Sequence, residues 1–156
     1  MIHVEIVEGA AHRVIGMRRR GRYEEVFPML GELVAFAEEH GIARAGPPAY
    51  IRHETDLEAA QQAHHEGTAD LEVVLPVEGK VAVEGEVGVY DLAGGPMARL
   101  IYTGPYEDLE GEYRDFFAWL ERHGRRVAGP IREVFINEPW KNPDQEPVVW
   151  IYAPVE

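Results

Sequence analysis

The chain has no cysteine, and that absence removes disulfides, thiolate nucleophiles and thiolate metal ligands together. It has no uninterrupted apolar run near the ~18 to 20 residues that a membrane-crossing helix requires. Basic residues are scarce: 15 Lys and Arg stand against 28 Asp and Glu, for a net charge of −13. So acidic a surface repels phosphate backbones, and no direct nucleic-acid binding is expected. The opening stretch carries Glu5 and Glu8 and no basic segment, so a secretory leader is not expected and a cytoplasmic location is. The chain also lacks a phosphate loop, a nucleophile elbow and a dinucleotide fingerprint. It begins directly with strand-like residues rather than a helix-turn-helix, which points to a protein that stands alone.

What the chain does have is one pattern written twice. Aligning Arg20–Pro47 with Thr103–Pro130 without gaps makes ten of twenty-eight positions identical. They include Gly21, Tyr23 and Glu24 against Gly104, Tyr106 and Glu107, His40–Gly41 against His123–Gly124, and Ala45–Pro47 against Ala128–Pro130. The endings agree too, Leu75–Glu78 with Ala153–Glu156. A period near 80 residues in two copies is a duplication and not a solenoid. With 156 residues, 46% of them hydrophobic, a single domain spanning 1–156 is expected, made of repeats at about 1–80 and 81–156.

Each copy spells β-helix-β-β. Strands are expected over Ala11–Arg19 and Gly95–Gly104, then helices whose apolar stripes are Val26, Leu30, Leu33, Ala37 and Leu109, Tyr113, Phe116, Leu120. Gly41 and Gly124 stand where helices end, with His40 and His123 suiting the dipole just before them. Two further strands follow in each copy, Ala49–Glu54 and Asp70–Val77 in the first, Ile131–Asn137 and Val148–Val155 in the second. Val4–Gly9 and Val81–Leu92 add strands, the latter joining the halves. The fold class is therefore α+β: one antiparallel sheet with two main helices on one face, related by a pseudo-two-fold axis, and a central groove along that axis. The cluster Arg18, Arg19, Arg20 and Arg22 reads as the solvated end of a strand.

These residues resemble the gyrase-inhibitor-like (GyrI-like) family, the effector-binding domain of AraC- and MerR-type regulators. The resemblance rests on Gly104–Leu109, Ala118–Gly124, the Gly-Pro-x-x-Glu-x-Phe of Gly129–Phe135, Asn137–Pro139, Ile151–Val155 and, in the first half, Asp70–Val77. It implies a groove that accepts flat, apolar, often cationic molecules, with the family's buried acid falling on Glu133. Some members sense drugs for transcription activators, one branch modulates DNA gyrase, and another hydrolyses the strained cyclopropane rings of alkylating natural products. Where the family commonly has Thr-Glu-Ile in its last strand, this chain has Val149-Trp150-Ile151.

Strand alternation then proposes a lining. Glu133 and Phe135 share a face, as do Trp150 and Tyr152, and the repeat alignment puts Tyr50 and Arg52 opposite Glu133 and Phe135 and puts Glu72 opposite Trp150. The expected ligand-binding set is Glu133, Phe135, Trp150, Tyr152, Tyr50, Glu72 and Trp119, with Tyr102 and Tyr106 at the mouth. A carboxylate among rings suits a planar cation. For a ring-opening enzyme, Glu133 is the expected base and Tyr50 or Tyr106 the hydrogen-bond donor. Trp119 and Phe36 fit core packing as well as the groove, and Trp140 fits a lid or an edge cover. The histidines at His53 and His64–His65 suggest a metal only weakly, in a polar segment without converging ligands, so no metal and no cofactor is expected. The partners expected are a small hydrophobic or cationic ligand and, through it or beside it, a regulator or gyrase; no membrane is expected.

Overall fold

A computed structural model describes residues 2–156. In chain order it has β1 Val4–Gly9, β2 His12–Gly21, α1 Val26–Glu39, β3 Ala49–Arg52, α2 Leu57–Glu66, β4 Ala69–Pro76, β5 Gly88–Leu92, β6 Gly95–Thr103, α3 Leu109–Arg122, β7 Ile131–Phe135 and β8 Val148–Pro154. All strands join one curled antiparallel sheet in the order β1-β6-β8-β7-β3-β4-β2-β5. No helix among the described residues is long and apolar enough to cross a membrane.

The apolar stripes read from the two long helices are the faces that pack. Val26, Leu30, Leu33 and Ala37 of α1 are buried, and so are Leu109, Tyr113, Phe116 and Leu120 of α3, all in one core against the sheet. Both helices stop by the same device. Gly41 and Gly124 adopt φ +64°, and the residues after them, Ile42 and Arg125, donate back to Ala37 and Leu120. His40 and His123 lie flat on Phe36 and Trp119 one turn earlier.

β3 and β7 meet at the centre of the sheet. Tyr50 lies directly opposite Glu133, and the two are repeat equivalents, so the pseudo-two-fold axis passes between them. At the edges the repeats trade strands. β1 pairs with β6 of the second repeat, and its counterpart β5 pairs with β2 of the first. The two short connectors cross in contact: a Cβ on Gly94 would lie 2.5 Å from the Gly9 carbonyl oxygen. Only glycine allows that approach. The stretch expected as a strand from Val81 is extended strand only from Gly88.

The repeats differ between their last two strands. The first inserts α2, capped by Asp56, whose side chain accepts from the Glu58 N–H at 2.8 Å, and closed by Gly67 at φ 70°. The second has the loop that carries Trp140.

Candidate functional site

The strand alternation of β7 puts Glu133 on the helix side of the sheet, with none of its surface exposed. Burying a lone carboxylate costs several kcal/mol, so its partners decide what the site is. The Tyr106 hydroxyl, on the turn leading into α3, donates to Oε1 at 2.5 Å. Tyr113, in the middle of the α3 stripe, donates to Oε2 at 2.6 Å. Arg52, the last residue of β3, donates its Nε–H to Oε2 at 2.9 Å. Acid and guanidinium form an ion pair whose acid is fully buried and whose arginine side chain is 13% exposed.

Arg52 sits in an aromatic cage. Its Cζ lies 4.8 Å from the centre of the Tyr113 ring, 5.0 Å from Tyr23 and 5.7 Å from Tyr50. Burial alone would make the guanidinium easier to deprotonate, but the Glu133 charge outweighs it and holds Arg52 well above its ordinary value. The same surroundings act on the phenols. Burial first and the neighbouring Glu133 charge next push Tyr106 and Tyr113 far up, so both stay protonated and donate. Tyr23 is pushed up by burial and by donating to Glu54 at 2.7 Å.

A cavity of about 350 Å³ opens over this pair. Tyr23, Arg52, Tyr106 and Tyr113 supply its polar end, Leu57 and Ala60 of α2 its apolar wall, and Glu107 and Glu110 of the α3 end its acidic rim. His64 of α2 stacks on Tyr23 with ring planes 2° apart and accepts the Tyr23 backbone N–H at 3.2 Å. The symmetry-related half of the groove is filled. Phe27 packs on Tyr106, Phe135 and Trp140 at centroid distances of 5.0, 5.3 and 6.0 Å. The duplication thus yields one open pocket and one plugged pocket, and α2 and the Trp140 loop make the difference.

The structure brings together Glu133, Tyr50 and Tyr106 of the expected lining, with Phe135 on the plugged side. It places the other five elsewhere. Glu133 is opposite Ile151 in β8, so Trp150 and Tyr152 project from the opposite, helix-free face. Glu72 is opposite Ile51 and joins them there, accepting from Tyr90 at 2.6 Å with His53 at 2.7 Å on its other oxygen. The equivalence of Glu72 with Trp150 holds; the face assigned to both does not. Tyr102 donates to the Pro105 carbonyl at 2.6 Å and braces the turn instead of lining the mouth. Trp119 packs beside the core and stacks on His123 at 3.8 Å, away from the cavity. Trp140 is neither lid nor edge cover but the plug of the second half. The carboxylate expected to meet a planar cation from a ligand is instead paired with Arg52. The arginine cluster is a paired strand end, with Arg18 on Asp70 and Arg19 on Glu32 and Glu86. Among the described residues no three His, Asp or Glu side chains converge on a metal position.

Three participants were absent from that lining: Arg52, Tyr113 and Tyr23. The sequence carried a signal for two of them. Arg52 follows Tyr50 by two on a strand and must share its face. Tyr113 stands in a buried stripe where the first repeat has Leu30, which adds a hydroxyl aimed at the sheet.

A duplicated frame with one aromatic, acid-centred pocket defines a class of small-molecule-binding domains. A sequence profile of the GyrI-like small molecule binding domain matches residues 3–156, and the chain belongs to the GyrI-like family. Among solved structures, the EcmrR C-terminal domain superposes with a TM-score of 0.81 at 21% identity, covering 100% of this chain and 98% of that one. In the EcmrR–DNA complex the match has a TM-score of 0.84 at 19% identity, and covers 99% of this chain but only 57% of the EcmrR chain. A hydrolase from Listeria innocua matches with a TM-score of 0.66 at 12% identity over 98% of this chain and 91% of its own. At such identities the likeness is one of fold. A comparison with curated proteins by sequence gave no match.

Proposed function

We propose that this protein binds small, flat, largely apolar molecules in the cavity beside the Arg52–Glu133 pair, as a sensor or sequestering protein of the cytoplasm. One observation carries the reading: an open 350 Å³ cavity whose polar end is a buried, fully hydrogen-bonded ion pair walled by tyrosines. Because the pair is locally neutral, an uncharged ring system enters without leaving a buried charge unmatched, and stacks on Tyr23 and Tyr106. A lipophilic cation faces a different balance. The place over the rings is filled by Arg52, so the cation binds by taking that guanidinium's position on Glu133 or by resting on the Glu107 and Glu110 rim. The family and the fold shared with the EcmrR C-terminal domain support an effector-binding reading, drug sensing on behalf of a regulator.

Fluorescence titration with Nile red, a neutral planar dye, tests the reading. Tyr106→Ala is expected to weaken saturable binding by about tenfold, the worth of one lost aromatic contact. Binding indifferent to Tyr106→Ala and Tyr23→Ala would remove the cavity from consideration.

A ring-opening hydrolase is the second reading. The Tyr106 hydroxyl favours it, since it stands at the cavity wall and, once its proton turns away from Glu133, can donate to a substrate carbonyl. Against it, Glu133 already accepts from three donors and has no free path to a water until Arg52 moves. Incubation with a cyclopropane-bearing alkylator, followed by mass spectrometry for the hydrated product, separates the two: turnover lost in Glu133→Gln supports the enzyme, and absence of product across several substrates leaves binding.

A further inference from the structure

The helix-free face of the sheet carries its own chemistry. Because the sheet curls, a second cavity of about 500 Å³ is touched by residues of all eight strands at once. Two neighbouring rows of side chains cross this face, and the cavity takes in Arg99, Tyr152 and Arg132 of one and Trp150, Val134, Ala49 and Val74 of the other. Cross-strand register sets one row as Glu5, Arg99, Tyr152, Arg132, Ile51, Glu72, Arg18. The other reads Ile101, Trp150, Val134, Ala49, Val74, Gly16. A charged row therefore lies beside an apolar one.

The charged row is satisfied except at its centre. Glu5 holds Arg99 at 2.6 Å, Glu72 is held by His53 and Tyr90, and Arg18 holds Asp70. Arg132 has no carboxylate within ion-pair distance among the described residues, and its guanidinium meets only the Ala93 carbonyl oxygen. It is half-buried, and burial makes it easier to deprotonate than an ordinary arginine, the signature of a cation short of a countercharge. Glu8 is the single acid in the cavity wall and stands exposed at the rim. In a molecule of net charge −13, an unmatched arginine in a hollow is a specific feature and not part of a general basic surface.

We propose that this hollow is a second ligand site, separate from the pocket under the helices, and that it takes a planar aromatic carboxylate. The ring lies on the apolar row, over Trp150 and Val134. The carboxylate takes the parallel N–H groups of Arg132 in the two-point geometry that a guanidinium offers and an ammonium does not. Tyr152, set between Arg132 and Arg99, borders the anion. Arg99 is already paired with Glu5 and stacked 5.5 Å over Trp150, so it completes the wall and leaves Arg132 as the recognising charge.

The test uses the whole protein with 2-naphthoate and its uncharged analogue 2-naphthamide, followed by calorimetry. Naphthoate is expected to bind at least about tenfold more tightly than the amide, the worth of a charge-assisted contact. Arg132→Gln should abolish that preference while leaving the amide's affinity unchanged, and saturating Nile red should not displace naphthoate. In the unmodified protein, naphthoate should shift the indole N–H resonance of Trp150 (assigned from Trp150→Phe) and leave that of Trp140 in place. Equal binding of acid and amide, competition with Nile red, or a shift at Trp140 in place of Trp150 each overturns the proposal. The resonance measurement decides the matter even if Arg132→Gln does not fold.

Discussion

At the scale of single residues, the site turns on an ion pair that the protein supplies to itself. Removing one member of a buried pair strands the other. Arg52→Met is therefore expected to lower stability by about 3–5 kcal/mol, and Arg52→Met/Glu133→Gln to recover most of that loss, as read by urea denaturation. The tyrosines separate by partner. Tyr113→Phe leaves Glu133 one donor short and should cost about 1–3 kcal/mol, whereas Tyr50→Phe should cost nothing, because the buried Tyr50 hydroxyl meets no protein partner among the described residues. Alkaline pH tests the same environment. Burial and the Glu133 charge raise the folded-state values of Tyr106 and Tyr113 far above the ordinary 10.0. Their contribution is complete below that ordinary value and is lost as pH rises beyond it, so stability should fall steeply above pH 10 and phenolate absorbance should rise together with unfolding. Glu133 was legible from its motif and Tyr50 from the repeat alignment. Strand alternation puts Arg52 on the Tyr50 face, but its pairing with Glu133 was not legible, because a charged residue at a strand end carries no mark of which acid it will meet.

At the scale of elements, the difference between the repeats decides the pocket. The long helices and six strands were readable because their apolar periods agree with the faces they bury. Which face of β8 meets the groove was not. A strand's two faces exchange with a one-residue change in register, and register is set by its neighbour β7, not by its own alternation. So Trp150 and Tyr152 went to the wrong side on local pattern alone. The loop after β7 and the segment that forms α2 have weak patterns of their own, yet one plugs a half-groove and the other walls the open half. Trp140→Ala should cost about 3–5 kcal/mol by emptying the space against Phe27 and Phe135. It should also create a second binding site for a small neutral aromatic, visible as doubled stoichiometry in Nile red titration; unchanged stoichiometry would mean that the surrounding rings collapse into the gap.

At the scale of the whole molecule, the exchange of edge strands ties the halves into one folding unit. Neither repeat has its full set of neighbours without the other's first strand, and the connectors cross in contact at Gly94. A side chain there must push the Gly9 backbone away. Gly94→Val is expected to lower the melting temperature in one transition, with far-ultraviolet circular dichroism and tryptophan fluorescence falling together; two separated transitions would show that the repeats unfold independently. The pseudo-symmetry that builds this frame also makes the site, since the axis brings an acid from one repeat against an arginine and phenols drawn from both. In the function proposed above, Arg52 is a tethered cation holding the place a ligand's cation would take. The most direct test is the affinity of rhodamine 6G for the unmodified protein and for Arg52→Met at neutral pH. The account predicts tighter binding by about tenfold or more when Arg52 is removed, because the dye then meets an unpaired carboxylate. Equal or weaker binding by the variant would contradict it.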